Sequence, residues 1–226
     1  MASGPERATI QISMIDRRAL QDNHPLQPLP EPDRMDDDAL ADAAVEWVRA
    51  RPDPQNIWVF ATGSLMWNPE FPYTECRRGR VEGWHRAFCL YSVNYRGSPA
   101  RPGLVMGLAP GGYCEGCAFR IDPGNREDAA VTLWRREMGH GSYRMIDLDI
   151  ETAEGTIHGS AFTPTEGHPQ YAVGLPRQTV SAAIACASGK RGPNLDYFTA
   201  TRDHLLEMGI VDPYIEAIAE DLSGCI

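Results

Sequence analysis

No stretch of this 226-residue chain approaches the ~20 consecutive apolar residues of a membrane-spanning helix. An excess of positive charge is also missing. Thirty-one acidic side chains face 21 basic ones, for a formal net charge of −10. A general nucleic-acid or anionic-membrane binder needs a basic face, so the balance argues against both classes. An anionic small molecule stays open, because a few local arginines override the global sign. The first residues, MASGPERATIQISMIDRR, lack the charged-then-apolar order of a secretory signal. Six scattered cysteines in a chain able to bury a real core predict reduced thiols and a cytoplasmic setting. The single Cys114-x-x-Cys117 has no second pair to complete a zinc site, and strand residues three apart face opposite sides. The six histidines show no i, i+4 pairing, so metal binding is not expected. No Ser-His or Cys-His arrangement stands out, and there is no internal repeat.

What is present divides the chain unevenly. Residues 1 to about 35 are rich in proline and charge, with HPLQPLPEPD at 24–33, and predict an extended arm. Three aspartates (36–38) then precede Leu40, Ala43, Ala44, Trp47 and Val48, which is helical spacing with acid in the first turn. From Ile57 the texture turns strand-like. Residues 81–93, 103–110 and 112–121 are short, glycine-punctuated strand candidates. In 143–150, Ile146, Leu148 and Ile150 alternate with Asp147 and Asp149, and a turn is expected at Glu154-Gly155. The last third reads as helices: Pro176 to Ala187, a second capped by Asn194 and ending at Gly209, and a third opened by Asp212-Pro213. Strands first, helices late and one helix between predict an α+β fold with an extension over 1–55 and a domain over 56–226.

Two local features point to chemistry. Residues 57–68, IWVFATGSLMWN, form an apolar run interrupted by Thr62-Gly63-Ser64. Such a corner at the end of a core strand can aim backbone N–H groups at a ligand, although an isolated Gly-Ser pair is more often an ordinary turn. The helix between the strands, expected to start at an Asn125 cap and to end at Gly139 and Gly141, has Ala130, Leu133, Trp134 and Met138 on its apolar face. The position missing from that stripe is Glu137, with Arg135 and Arg136 expected to project elsewhere. Burial favours the neutral form of a carboxyl and moves its titration toward neutral pH. A helix-end acid that swings out to pair with an arginine is the plainer alternative.

These segments together resemble a known family. VFATGSLMWNPEF is similar to the V-F-x-Y-G-S-L-x-W-x-P-x-F signature of ChaC-type γ-glutamylcyclotransferases. VEGWHRAFCLYSVNYRGSPARPGLVMGL, LWRREMGHGSY and GPNLDYFTATRDHLLEMGI resemble its next three motifs, in order, over about residues 56–222. The resemblance implies a small curved or barrel-like mixed β-sheet surrounded by helices. It also implies conversion of a γ-glutamyl peptide, typically glutathione, into 5-oxoproline and an amine or Cys-Gly, without metal or organic cofactor. The family's acid falls on Glu137, as base and then acid. Thr62, Gly63, Ser64 and Leu65 would hold the γ-glutamyl group, Thr62 standing where the family has Tyr. Tyr143 and Tyr197 match motif tyrosines of a substrate pocket, Arg96 could meet a substrate carboxylate, and Tyr171 is a weaker lining candidate. The alternatives are another γ-glutamyl amide or amine as substrate, or a binding homologue without turnover.

Overall fold

The computed structural model describes residues 24–224. Five strands close into a barrel: β1 (Trp58–Ala61), β2 (Tyr73–Ser92), β3 (Gly103–Ile121), β4 (Tyr143–Thr152) and β5 (Gly155–Pro164), in the order β1-β3-β2-β4-β5. β5 meets β1 in parallel and the other pairings are antiparallel, so the sheet is mixed. Around it lie α1 (Asp37–Arg49), α2 (Arg126–Leu133), α3 (Arg177–Cys186), α4 (Asn194–Glu207) and α5 (Pro213–Gly224). A small hairpin of β6 (Ser188–Gly189) and β7 (Gly192–Pro193) precedes α4. The α+β class and the barrel-like mixed sheet are both borne out.

β1 is apolar at every position because both of its faces are covered. Trp58 and Phe60 point into the barrel and pack with Val81, Leu108, Ile150 and Ala161, one or more from every strand. Val59 and Ala61 point outward into a larger cluster shared with the helices. Cys114 belongs to the first cluster and Cys117 to the second, so the C-x-x-C pair straddles the sheet as its spacing required.

The short strand candidates at 103–110 and 112–121 are corrected: they are one strand, β3, which pairs with β2 along almost its whole length. Gly111 and Gly112 read as a break but form a bulge opposite Gly83, with φ of 99°, 67° and 78°. An extra residue bends a strand and leaves it paired on both sides. β2 also starts earlier than its apolar half, since Tyr73 to Arg80 carry charge on an exposed ribbon. The alternation in β4 stands: Leu148 and Ile150 are buried while Asp147 and Asp149 are exposed.

The helices follow their predicted faces except at Ala43, which is corrected to an exposed position, and two expected cap side chains bond elsewhere. α1 is capped by Asp36, whose Oδ1 accepts from Ala39 N at 2.9 Å. Leu40, Ala44 and Val48 are buried, Trp47 packs on Trp134 at 5.0 Å, and Ala43 is exposed. Burying side chains of this size contributes about 1.5–3 kcal/mol each, which anchors the helix to the barrel assembly. Val180, Ala183, Ile184 and Ala187 are buried on one face of α3, and Asp212 Oδ1 caps α5 by accepting from Tyr214 N and Ile215 N. Asn194 does not cap α4. It is fully buried and bonds both backbone groups of Leu104, accepting from N at 2.6 Å and donating to O at 2.8 Å. Asn125 does hold the N-cap position of α2, but its side chain makes no capping bond, because its amide donates to Asp122, which caps a short turn just before the helix. Residues 24–36 form neither helix nor strand, and earlier parts of the expected arm lie outside the described residues. This segment is tied down by Leu29 N to Pro99 O at 2.9 Å and Met35 N to Gly139 O at 2.8 Å.

Candidate active site

Where β1 ends, Thr62 and Gly63 turn the chain into one 3₁₀ turn, Ser64–Met66. The first amides of such a turn have no carbonyl within it to donate to. The corner lines a cavity of about 290 Å³, and eight of the nine site candidates named above belong to its lining: Thr62, Gly63, Ser64, Leu65, Arg96, Glu137, Tyr143 and Tyr197. Tyr171 is not among the lining residues and instead pairs its backbone with Leu90. Gly63 sits where a side chain would crowd its neighbours, since a Cβ there would lie 3.3 Å from both Met106 Cβ and the Tyr197 hydroxyl. Pro32, from the segment ahead of α1, closes part of the wall.

After Leu133 the α-helix gives way to one π turn, Trp134–Met138. Bonding from i to i+5 fits about one extra residue into the turn and changes which side chains share a face. Glu137 thereby faces the cavity with 15 % of its side chain exposed. The expectation that Arg136 projects elsewhere is corrected, for the same turn brings its Nε to 3.0 Å from Glu137 Oε1. Arg135 does point away, to Asp37 at 2.7 Å. Arg136 also donates to Ser64 Oγ at 2.8 Å and pairs with Glu70 at 3.0 Å, so one guanidinium joins the acid to the corner. Burial pushes the Glu137 carboxyl above the usual carboxylate range, and Arg136 holds back part of that rise. The buried-acid pattern and the arginine-paired alternative are therefore both partly right.

Two phenols meet at one residue of β3. Tyr143 donates its hydroxyl proton to Met106 O at 2.6 Å, and the Tyr197 hydroxyl accepts from Met106 N at 3.3 Å. Burial, aided by the Glu137 charge, raises Tyr143 well above its ordinary value and Tyr197 to about 12, so both stay neutral hydroxyls. Arg96 donates to the carbonyls of Arg191 at 2.7 Å and Pro193 at 3.3 Å, with its guanidinium 5.4 Å over the Tyr197 ring.

Arg86 went unnoticed in the sequence beyond its place in a motif. Its side chain is fully buried, pairs with Asp212, and donates to Thr62 O at 2.7 Å and to Glu115 O. One cation thus fixes the carbonyl that opens the corner. The available signal was an arginine inside the apolar run of β2, where a buried charge demands partners. Among the described residues, no group of three or more His, Cys, Asp or Glu side chains is placed to hold a metal ion. No helix among them is long and apolar enough to cross a membrane.

The cavity of this α+β barrel thus holds one acidic side chain, Glu137, whose pKa burial raises, in a lining shared with the 62–65 corner. Residues 57–223 match the ChaC-like protein family, and the chain belongs to it. It is 36% identical over 163 residues to the glutathione-specific gamma-glutamylcyclotransferase of Escherichia coli, covering 72% of this chain and 71% of that one. It is 29% identical over 175 residues to the human glutathione-specific gamma-glutamylcyclotransferase 1, covering 74% and 79%. The crystal structure of the glutathione-specific yeast enzyme shares the fold, with a TM-score of 0.70, 20% identity, and coverage of 76% of this chain and 97% of that one.

Proposed function

We propose that this protein is a γ-glutamylcyclotransferase that cleaves glutathione into 5-oxoproline and Cys-Gly. The observation that carries the mechanism is Glu137, a half-buried acid of raised pKa facing a cavity beside the 62–65 corner. Family membership and the names of the relatives support the substrate. The cavity lies at the small end of the ~300–1,000 Å³ usual for ligand pockets, which suits a short peptide.

The substrate's α-amine attacks its own γ-carbonyl carbon. A carbon–nitrogen bond forms to close the lactam and the amide bond to cysteine breaks. Both reacting groups belong to one molecule, so the protein needs only to hold the γ-glutamyl chain in a folded conformer. Ionised Glu137 takes the proton from the attacking amine and returns it to the departing nitrogen, which leaves as the amine of Cys-Gly. The amides of Ser64 and Leu65 receive the α-carboxylate or the developing oxyanion, with Arg136 fixing the Ser64 side chain. Tyr143 and Tyr197 form the wall behind the γ-glutamyl chain. We assign catalysis to residues 56–226 and regard 1–55 as an extension. A glutathione substrate and free described cysteines suit a cytoplasmic setting.

Incubation of the purified protein with glutathione should yield 5-oxoproline and Cys-Gly in equal amounts by mass spectrometry. Products from another γ-glutamyl amide, and none from glutathione, would move the substrate within the same reaction. No turnover of any γ-glutamyl compound by the folded protein would refute the reading and leave a binding homologue.

A further inference from the structure

Three arginines line the cavity, and they are not equally committed. Arg136 is engaged by Glu70, Glu137, Ser64 and Asn68. Arg96 is bonded to two loop carbonyls and covers Tyr197. Arg191 makes no ion pair among the described residues, and it is exposed at the rim. Its guanidinium lies 4.4 Å over the Tyr95 ring.

The position of Arg191 is nevertheless fixed. Its N donates to Tyr95 O at 2.9 Å and its O accepts from Arg96 Nη1 at 2.7 Å. The β6–β7 hairpin that carries it presses against the 95–97 loop so closely that a Cβ at Gly189 would lie 2.6 Å from Tyr95 O and 2.5 Å from Gly97 O. A planar fork held on an aromatic ring by a pinned backbone has less freedom to lose when it takes a ligand.

We propose that Arg191 is a specificity-determining residue that takes the C-terminal carboxylate of the leaving half of the substrate. The site thereby favours γ-glutamyl tripeptides with a free terminal carboxylate over their esters and amides. This rests on the γ-glutamyl reading above. A γ-glutamyl group reacting at half-buried Glu137 must send the other end of the tripeptide toward the open rim. The carboxylate at that end would meet a protein of net charge −10, and of the two cavity arginines without an ion pair among the described residues, Arg191 is the exposed one, its guanidinium bonded to no carbonyl. Two parallel N–H···O bonds from guanidinium to carboxylate are lost when an ester replaces the acid.

The test compares Arg191 and Arg191→Gln, both in a Glu137→Gln background that prevents turnover, by calorimetric titration with glutathione and with its glycyl monoethyl ester. With Arg191 present, the ester should bind about three- to fivefold more weakly, the range of a partly exposed ion pair. Arg191→Gln should bring the acid down to the ester, and high salt should shrink the difference. The same ratio should appear in KM, with little change in kcat, when Glu137 is restored. An acid–ester ratio that is the same in both proteins overturns the proposal even if glutathione is turned over. A ratio that disappears with Arg191→Gln upholds it even if wild type turns over neither compound, in which case only the cyclotransferase reading fails. If neither ligand binds, both fall together.

Discussion

Replacing Glu137 by Gln keeps the shape of the side chain and removes its ability to cycle a proton. The expected loss in kcat is about 10²–10⁴-fold, equal to roughly 3–5 kcal/mol of barrier. Stability should move the other way or stay level. Burial raises the Glu137 pKa in the folded protein, so the native state holds this proton more tightly than the unfolded chain. The stabilisation from that proton is full below the unfolded value and is lost as pH rises through the folded value. At neutral pH the ionised carboxylate is therefore a burden that Gln does not carry, while Arg136 keeps Glu70 as its partner. Thermal melts at pH 7 should give Glu137→Gln a Tm equal to or above wild type, and 5-oxoproline assays should show it nearly inactive. The same raised pKa sets the acid limb of the wild-type kcat/KM profile above the ~4.3 of an ordinary glutamate. Near-normal turnover by the variant would refute the proton-cycling role. An acid limb at or below the ordinary value would refute the link between burial and catalysis.

Arg86→Met should destabilise by about 3–5 kcal/mol in urea unfolding, because it strands Asp212 in a buried site and frees the Thr62 and Glu115 carbonyls. A loss below 1 kcal/mol would mean that the pair is dispensable. Gly63→Ala puts a Cβ at 3.3 Å from Met106 Cβ and the Tyr197 hydroxyl. It should raise KM for glutathione about tenfold, the effect of ~1.4 kcal/mol of disturbed geometry, while circular dichroism stays native. An unchanged KM would show that the corner does not approach the substrate. Thr62→Tyr should lower KM for glutathione by restoring an aromatic wall, and no change would make the threonine a neutral variation.

The residues that sequence reasoning placed correctly are those whose local pattern agrees with their final surroundings. β4 shows its two faces in the alternation of Ile146, Leu148 and Ile150 with aspartates, and α5 shows its start in Asp212-Pro213. The motifs gathered Thr62 to Leu65, Glu137, Tyr143 and Tyr197 before any geometry was known, and the fold brings them to one cavity. Errors arose where distant contacts decide local form. Gly111-Gly112 looks like a turn in isolation, yet pairing with Gly83 makes it a bulge inside a strand. Asn194 has the chemistry of a cap, but Leu104 offers it two backbone partners 90 residues away in sequence. The partnership of Arg136 with Glu137 was hidden because adjacent residues diverge on an ordinary α-helix. The π turn that reunites them has no periodicity to read.

Pro32 contributes to the cavity wall, although it lies upstream of both the barrel and the residues that match the family. Pocket shape is thus set partly by a piece of chain outside the residues that match the family. Trimming this protein to its matched region would keep the chemistry of the 62–65 corner and of Glu137, yet open one side of the chamber to water. For an enzyme of this kind, the leader is the cheapest place to retune what fits.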